Sequence, residues 1–562
     1  MRRTAPSTIA RLCSVALAVA MLATAAAPAF AAAPQPSPTA AVDAADTTVA
    51  QTDRPDPDSD VIGWENGYWH NESIAVDQTD DDALNDTELE AYVARAMARV
   101  EYLREAEFES NVPVEVMSRE EYRERSAQRA GDANRTEFNR WNDQVWEGLF
   151  IVGESTGSGD ALSETTGSSV AGFYEPARDQ ITIITPDPDA PTVSNATLIH
   201  ELVHALQDQR YDLTNATYRG TTQDGDLAID GVVEGEANYI ETRYTQRCGA
   251  EWDCVETPSA DSGGGGSFDG NYGVLLTIFN PYSDGPVYVA DIVESGGWAA
   301  FDERFRNPPT STEQVIQLTD EEPTPIEFTD GSTGDWETFP RDDPRLGENG
   351  SDTVGEASIY AMFWYQARNY GADTIPPQNV VQGVSGPYDV YNYDAEPSAG
   401  WANDRLFPYR TGAGDDAEYG YVWVTEWDTE TDAREFHDTY LRMLEAHDVR
   451  ETDAGYHVVP SGPFADAFYV DRDGTRVTIV NGPTVDDVRD IRPSLAPDPD
   501  ATPTATPTDT TATVDAGDDT GNNADSDPDT DGSTTETTGA GFGVVVALAA
   551  VAAAGLLARR RD

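Results

Sequence analysis

The sequence contains no lysine, and it has few histidines and cysteines. All 35 basic residues among its 562 are arginines, against 102 Asp and Glu, which gives a formal net charge of −67. This composition excludes nucleic acid as a partner, because phosphate binding needs a basic face. Apolar residues make up 39%, with 11 tryptophans, so we assign the acidity to the surface of a folded protein rather than to a disordered chain. Molar salt screens such a surface, and we interpret the charge as an adaptation to it.

The scarcity of cysteine limits what thiols can do. Only Cys13, Cys248 and Cys254 occur, and Cys13 falls in the export signal described next. In an exported protein, two cysteines six positions apart most simply form one local disulfide. A metal role for that pair is the weaker alternative, since no second pair or adjacent histidine completes a site.

The chain begins with an export signal. Three arginines within the first eleven residues precede an apolar stretch, which ends at Ala29-Phe30-Ala31, a small-x-small cleavage site. We predict a signal peptide over residues 1–31 and a disordered linker, rich in Ala, Pro, Thr and Asp, over 32–58. A globular region follows over 59–492, divided into a metal-site half, 59–265, and a second half, 266–492.

The C-terminal sequence predicts a surface anchor. Residues 493–538 form a Thr/Pro/Asp-rich stalk, and 539–562 hold an apolar run followed by Arg559, Arg560 and Arg561. The arginines predict a cytoplasmic C-terminus, so the globular region is expected on the outer face of the membrane. The arrangement resembles the archaeal Pro-Gly-Phe sorting signal, whose helix is replaced by a lipid. Here the tripeptide is Ala540-Gly541-Phe542, and a retained membrane helix is the alternative.

Hydrophobic periodicity predicts an α+β fold. Helices are expected where apolar residues recur every three or four positions, and strands where they alternate or run continuously. The predicted helices cover 88–107, 119–131, 194–209, 227–245 and 432–446. The predicted strands cover 112–117, 180–184, 287–292 and 420–427, with a hairpin over 468–480.

Two of the six histidines belong to the run His200-Glu201-Leu202-Val203-His204. On a helix, positions i and i+4 share a face, so both imidazoles can reach one cation. Glu201 is then placed to act as general base toward a metal-bound water. We predict a metal site with His200 and His204 as ligands. A solvated helix that carries two surface histidines is the alternative.

A catalytic zinc takes three protein ligands, so a third is required. Gln207 and Arg210 stand where a downstream H-x-x-G-x-x-H pattern would need Gly and His, which excludes that class. The next predicted helix offers Glu234 and Glu236. Periodicity favours Glu236 as the inward residue, because its face carries more apolar neighbours. Glu234 precedes a glycine, where another helix can approach closely, and we choose it as the ligand.

Other residues extend this hypothesis. Asp208 and Asp224 are less favoured carboxylate ligands, and Asn238 could hydrogen-bond a ligand histidine. The strand over 180–184 is a candidate edge strand for pairing with an extended peptide, and an ordinary sheet strand is the equal alternative. A donor for a developing oxyanion would also be needed. The candidates for it are Arg405, Tyr174 and His437. For residues 403–405 and 355–356 we favour the alternative, that they are hydrogen-bonding elements of the core.

These motifs together resemble a family of secreted proteins regarded as zincin-like metallopeptidases. The metal motif is preceded by Val170-Ala-Gly-Phe-Tyr-Glu-Pro176 and followed by Val233-Glu-Gly-Glu-Ala237, and the similarity covers roughly residues 165–480. The block Gly63-Trp-Glu-Asn-Gly-Tyr-Trp69 resembles a haloarchaeal surface-protein branch. The resemblance implies a zincin-like core, with Zn²⁺ on His200, His204 and Glu234 and with Glu201 as base.

The resulting expectation is a zinc metalloendopeptidase, tethered to the cell surface and acting on peptide or protein substrates in high salt. A catalytically inactive envelope protein with a structural zincin-like domain is the alternative. The intact Glu201 argues against it, because a purely structural site has no use for a base.

Overall fold

The computed structural model describes residues 54–495, except 77, 79–83, 131–136, 167–169, 189, 257–267, 269, 344, 385 and 413–416. The predicted signal peptide, nearly all of the predicted linker and stalk, and the predicted membrane segment lie outside the described residues. Helices and strands are mixed along the chain, which confirms the α+β class. Within the described ranges, no helix is both long and apolar enough to cross a bilayer.

The helices are concentrated in the first two thirds of the described chain. They are α1 Asp86–Arg104, α2 Arg119–Ala130, α3 Glu137–Gly148, α4 Ser158–Thr166, α5 Asn195–Tyr211, α6 Gln223–Thr245, α7 Tyr272–Arg306, α8 Thr312–Ile316, α9 Gly355–Tyr370, α10 Glu430–Glu445 and α11 Val485–Ile491. Two short 3₁₀ turns span Ala216–Tyr218 and Pro377–Val381.

The strands form a two-stranded ribbon, a three-stranded sheet and a seven-stranded sheet. They are β1 Trp64–Glu65, β2 Tyr68–Trp69, β3 Val114–Ser118, β4 Gly172–Glu175, β5 Gln180–Thr185, β6 Glu337–Thr338, β7 Trp401–Thr411, β8 Glu418–Trp427, β9 Arg450–Glu451, β10 His457–Val458, β11 Ala467–Asp473 and β12 Arg476–Gly482. The small sheet has the order β3-β5-β4, and the large one β6-β7-β8-β12-β11-β10-β9.

Most predicted elements are present with boundaries shifted by a few residues. The hairpin is β11 and β12, with Asp473 paired to Arg476 and Gly474 in the turn at φ 63°. A positive φ is accessible to glycine without strain. The predicted disulfide is also present, because Cys248 and Cys254 are bonded.

The predicted strand over 287–292 is wrong, since these residues lie inside α7. Their run Val287-Tyr-Val-Ala-Asp-Ile292 favours a strand by composition, but a short apolar run has the same appearance in a buried helix. Tyr288, Val289 and Ala290 are buried there. The helix kinks at Gly297, whose φ is 71°.

Two large clusters of buried apolar residues form most of the core. One joins α1, α5 and α6 with the small sheet and the second part of α7, through Leu202, Val203, Val232 and Ile240 among others. The other joins α3, α9 and α10 with one face of the large sheet, around Trp364, Trp401 and Trp423. The two predicted halves, 59–265 and 266–492, meet along α6, which packs most extensively against α7.

The α6–α7 contact depends on glycines. A Cβ atom added to Gly235 would lie 2.6 Å from the backbone carbonyl carbon of Gly285. One added to Gly285 would lie 2.6 Å from the backbone oxygen of Gly231. The two helix backbones therefore touch at the residue that follows Glu234, which confirms the predicted close approach.

Candidate metal centre

Helix α5 carries the first part of the site. It starts after Ser194, in extended conformation, and ends at Asp212, in the left-handed region at φ 58°. Apolar residues on several sides bury it almost completely, so His200 and His204 are each 3% exposed. Their rings lie 4.8 Å apart between centroids, as the i, i+4 spacing requires. The alternative of two surface histidines is therefore excluded.

Helix α6 brings Glu234 to both imidazoles. Its Oε2 lies 3.1 Å from His200 Nε2 and 3.3 Å from His204 Nε2. In a tetrahedral site with bonds of about 2.0–2.1 Å, neighbouring ligand atoms are about 3.3–3.4 Å apart. Glu234 Oε2 thus lies as far from each imidazole nitrogen as two ligands of one cation lie from each other. Within the described residues they form one of two groups of metal-ligating side chains with ligand atoms within 4.8 Å of one another.

The donor chemistry also fits zinc. His204 Nε2 is buried without a hydrogen-bond partner, although Glu234 lies beside it. Two imidazole nitrogens and one carboxylate oxygen form the three-ligand set of a catalytic zinc site, which keeps its fourth position for water or substrate. An unpaired buried nitrogen that faces a carboxylate is what a missing shared cation would leave behind.

The other ring nitrogens are held by neighbours that the sequence prediction missed. His204 Nδ1 is 2.9 Å from Gln207 Oε1. Gln207 Nε2 donates to the backbone oxygen of Val233 and to Glu236 Oε2, so Oε1 is free to accept. His200 Nδ1 is 3.4 Å from Glu241 Oε2. Both Nδ1 atoms therefore have an acceptor for their proton, so that a neutral ring would leave its Nε2 lone pair free for a cation beside Glu234.

Some of these partners could have been found by helical spacing. Gln207 stands at i+3 from His204, and Glu241 at i+7 from Glu234, so each shares a helix face with a ligand. Among 102 acidic residues that signal does not single out Glu241.

Glu236, the competitor favoured by periodicity, has a different role. It is buried, in an ion pair with Arg104 of α1, and Arg104 also contacts Asp302 of α7. Periodicity indicated correctly that Glu236 points inward. It could not indicate that an arginine more than a hundred residues away would neutralise it. The structure brings Glu234, and not Glu236, to the histidines.

The less favoured carboxylates are also engaged elsewhere. Asp208 accepts from the Tyr174 hydroxyl and the Leu213 amide. Asp224 accepts from the Thr312 amide and hydroxyl. The expectation for Asn238 is wrong, because its Nδ2 donates to the backbone oxygen of Glu234, one turn back. This hydrogen bond stays within α6 and does not orient a ligand imidazole.

Glu201 faces the site without a firm partner. It is fully buried, and neither carboxylate oxygen has a hydrogen bond of good geometry, although the Tyr174 backbone amide lies close enough to lower its pKa. Burial is the largest effect and raises the pKa of Glu201, while the two histidines oppose it. A carboxyl group with a raised pKa is suited to exchanging a proton near neutral pH.

The two imidazoles and the Glu234 carboxylate stabilise each other's charged forms. Burial lowers the pKa of His200 and His204, but the nearby Glu234 more than compensates, so both values are raised. Burial acts in the opposite sense on Glu234, and the histidines hold its pKa below the ordinary value. The cluster therefore contains at least one stable carboxylate in a buried place, as a cation site requires.

The strand nearest the site differs from the prediction. β5 is central in its sheet, and β4 is the edge strand that packs against α5. The prediction that residues 180–184 form the edge is therefore wrong. A single-strand pattern does not show which neighbours a strand acquires. Residues 172–175 of β4 lie at an edge of the sheet instead, and 180–184 are an ordinary sheet strand.

The oxyanion candidates are mostly committed to other contacts. Arg405 donates a hydrogen bond to Ser351 Oγ and forms an ion pair with Glu348. His437 Nδ1 contacts Asp438 Oδ1, and both residues lie on α10. The Tyr174 hydroxyl donates to Asp208. Asp404 is a core hydrogen-bonding element, accepting from the Val354 and Gly355 amides and from two tryptophans. A ring missed at the sequence level, Tyr282 of α7, lies parallel to His200 at 6.4 Å between centroids.

Comparison with known proteins covers only the C-terminal part of the chain. Residues 343–492 match the model of a domain of unknown function, DUF8575. That segment includes α9 and most of the large sheet, and it leaves out α5 and α6. No curated protein matches the chain, and no solved structure does.

Proposed function

We propose that this chain is a zinc-dependent metallopeptidase that hydrolyses peptide bonds in high salt at the outer cell surface. The observation that carries the proposal is the buried group of His200, His204 and Glu234, with Glu201 beside it. The spacing supports a cation with nitrogen and oxygen ligands, and the adjacent carboxyl group supports a catalytic rather than a purely structural role.

The chain's own residues prepare the chemistry. Gln207 and Glu241 fix the ring orientations, so the two Nε2 atoms and Glu234 Oε2 converge. Zinc bound there would polarise a carbonyl group and lower the pKa of a water toward about 7. Glu201 would receive the proton of the attacking water on a carboxylate oxygen and later deliver it to the leaving amine.

A zincin-like core and a peptide substrate are parts of the same proposal. α5, α6 and the small sheet are the elements that such a core needs, with β4 at the edge beside the metal helix. An extended peptide could add to that edge by backbone hydrogen bonds, which tolerate varied sequence. Export and C-terminal tethering rest on the terminal sequences alone.

The decisive experiment compares Glu201→Gln and Glu234→Gln with the unmodified protein in multimolar KCl. Zinc content and the hydrolysis of casein are measured on each. We expect Glu201→Gln to keep zinc and lose hydrolysis, and Glu234→Gln to lose zinc. Glu251→Gln, a change at an exposed position, is the control that should keep both. A metal-free protein after preparation with zinc would refute the proposal.

The burial of the site favours one competing function, a zinc-braced envelope protein without activity. Glu201 is 0% exposed and the three ligands are at most 6% exposed, so a substrate needs the site to open. In that case, zinc would join α5 to α6, and Glu201→Gln would match the unmodified protein in having no hydrolysis at all. Hydrolysis that depends on Glu201 excludes this alternative.

A further inference from the structure

Six asparagines of the chain stand in the tripeptide Asn-x-Ser/Thr, where x is not proline. This tripeptide accepts N-linked glycans in exported proteins. The six are Asn71, Asn85, Asn134, Asn195, Asn215 and Asn349, and Asn134 lies outside the described residues. Asn195 and Asn215 share the same tripeptide, Asn-Ala-Thr, so the motif does not distinguish them. Their surroundings in the fold do.

The Asn195 side chain is fully engaged at the start of α5. Its Oδ1 accepts from the Tyr92 and Tyr244 hydroxyls, and its Nδ2 donates to the backbone oxygen of Val255 at 2.6 Å. Both tyrosines are 1% exposed, and Thr197, which supplies the hydroxyl of the tripeptide, is 3% exposed. A sugar on Nδ2 would need room that this close-packed region does not have. Folded molecules therefore cannot carry a glycan at Asn195.

Asn215 has the opposite surroundings. It lies in the loop between α5 and α6, where it caps the 3₁₀ turn Ala216–Tyr218. Asn215, Ala216 and Thr217 are all exposed. Asn215 Oδ1 accepts from the Thr217 amide and hydroxyl, each at 3.1 Å, whereas its Nδ2 has no hydrogen bond to any described residue. The nitrogen that would carry the sugar is therefore accessible.

The other described acceptors are each obstructed at one atom or residue. Asn85 Nδ2 donates to a carboxylate within the cap of α1. Asn349 is exposed, but Ser351 is 0% exposed and its hydroxyl donates to a backbone oxygen. Asn71 is exposed, but the serine of its tripeptide is half-buried. Asn215 is the described acceptor that combines an exposed tripeptide with an unengaged amide nitrogen.

We propose that Asn215 carries an N-linked oligosaccharide and that Asn195 does not. The donor is a sugar chain carried on a membrane-lipid phosphate, used by a transferase of the exporting cell. Asn215 Nδ2 attacks the anomeric carbon of the sugar. An N–C bond forms, the C–O bond to the phosphate breaks, the lipid phosphate leaves with the electron pair, and the amide loses one proton. This inference rests on the export of the chain, which is part of the proposed function.

A glycan at Asn215 is compatible with the metal centre. Helix α5 ends at Tyr211, seven residues after His204, which is about 10 Å along the helix axis. Asn215 lies beyond that end, in a loop that is mostly exposed. The sugar would extend from this loop into solvent, so its loss should leave the zinc content unchanged.

The test compares the two identical tripeptides within one chain. The full chain is purified from cells that synthesise it with its own N-terminal residues, then unfolded and digested with trypsin. Cleavage after arginine separates the two acceptors, because Asn195 falls in peptide 179–210 and Asn215 in peptide 211–219. By mass spectrometry, we expect 211–219 to be heavier by one oligosaccharide and 179–210 to have its plain mass.

Two variants at Ala216 test the acceptor without changing the asparagine. Ala216→Pro blocks the tripeptide, whereas Ala216→Ser preserves it and is the matched control. The fold tolerates the proline, because Asn215 is extended at φ −64° and ψ 143°, as a residue before proline prefers, and Ala216 is the first residue of its turn. We expect peptide 211–219 to lose the oligosaccharide in Ala216→Pro and to keep it in Ala216→Ser.

Three results would overturn the assignment. They are a plain mass for 211–219 in the unmodified chain, an oligosaccharide on 179–210, and an oligosaccharide retained in Ala216→Pro. Zinc content and casein hydrolysis, measured on the same preparations, report the proposed function separately, and both should be equal in the two variants. If 211–219 is plain and residues 1–31 have been removed, export stands and only the glycan assignment fails.

Discussion

Substitution of Gly235 by alanine tests whether helix packing positions the metal ligand. The added Cβ would lie 2.6, 2.7 and 2.9 Å from the C, O and Cα atoms of Gly285. These are backbone atoms, which cannot rotate away as a side chain does. Ordinary contacts begin near about 3.4 Å, so α6 and α7 would have to separate by roughly 0.8 Å at this point.

Two opposing effects decide the outcome of Gly235→Ala. Alanine gains about 0.5–1 kcal/mol over glycine inside a helix. Forced separation of a packed contact costs about 1–3 kcal/mol, and a contact between two backbones should fall at the upper end. We therefore expect a net loss of about 1–2 kcal/mol of folding free energy. Because Glu234 is the preceding residue, a displacement beyond the roughly 0.2 Å tolerance of metal bonds should also weaken zinc affinity at least about tenfold.

The two effects are measured separately. Thermal unfolding in multimolar KCl with excess chelator reports the packing cost, and zinc competition with a chelator reports the affinity. Gly159→Ala on α4 is the matched control, because its Cβ would enter open space and should stabilise by about 0.5–1 kcal/mol. Unchanged apo stability together with unchanged zinc affinity in Gly235→Ala would refute the idea that this glycine contact sets the ligand position.

Three further changes probe other parts of the structure. Gln207→Ala frees the His204 ring and should lower zinc affinity about 10–100-fold in a chelator competition, whereas an unchanged affinity would mean that Gln207 does not orient the ring. Burial raises the pKa of Asp224 to about 7 and of Asp352 to about 8, above about 3.9 when unfolded. The folded state then binds more protons than the unfolded state between these pKa values. The free energy of unfolding, measured by denaturant titration, should therefore fall from about pH 4 to 8 and level off above, with a smaller slope in Asp352→Asn. An unfolding free energy that rises over that range would contradict the reasoning. Removing the disulfide by Cys248→Ser should cost about 2 kcal/mol, from the entropy of closing so short a loop, and reducing agent should then cause no further loss.

The local part of the site could be predicted from the sequence. His200, Glu201 and His204 depend only on a helical repeat, and α5 is a helix with both rings on one buried face. Glu234 needed one further assumption, a returning helix with a close contact at the following glycine. The structure has that contact between Gly235 and Gly285.

The parts that could not be predicted depend on long-range partners. Glu236 is buried because Arg104 neutralises it, and no local pattern links residues so far apart. β5 became central because β3 pairs with it in parallel, which its own alternation does not specify. The run over 287–292 shows the same limit, since its apolar residues are compatible with either a strand or a buried helix until packing decides.

The position of Glu234 depends on residues from both predicted halves of the globular region. At the start of α6, the Gln223 amide donates to Asp352 Oδ1, and Asp224 accepts from Thr312. Two and three turns further on, Gly231 contacts Val315 and Gly235 contacts Gly285. The histidines, in contrast, are held by α1, α6 and the small sheet. A metal centre assembled this way couples its third ligand to α7, α8 and α9, so loosening any of those helices should shift Glu234 relative to the two histidines.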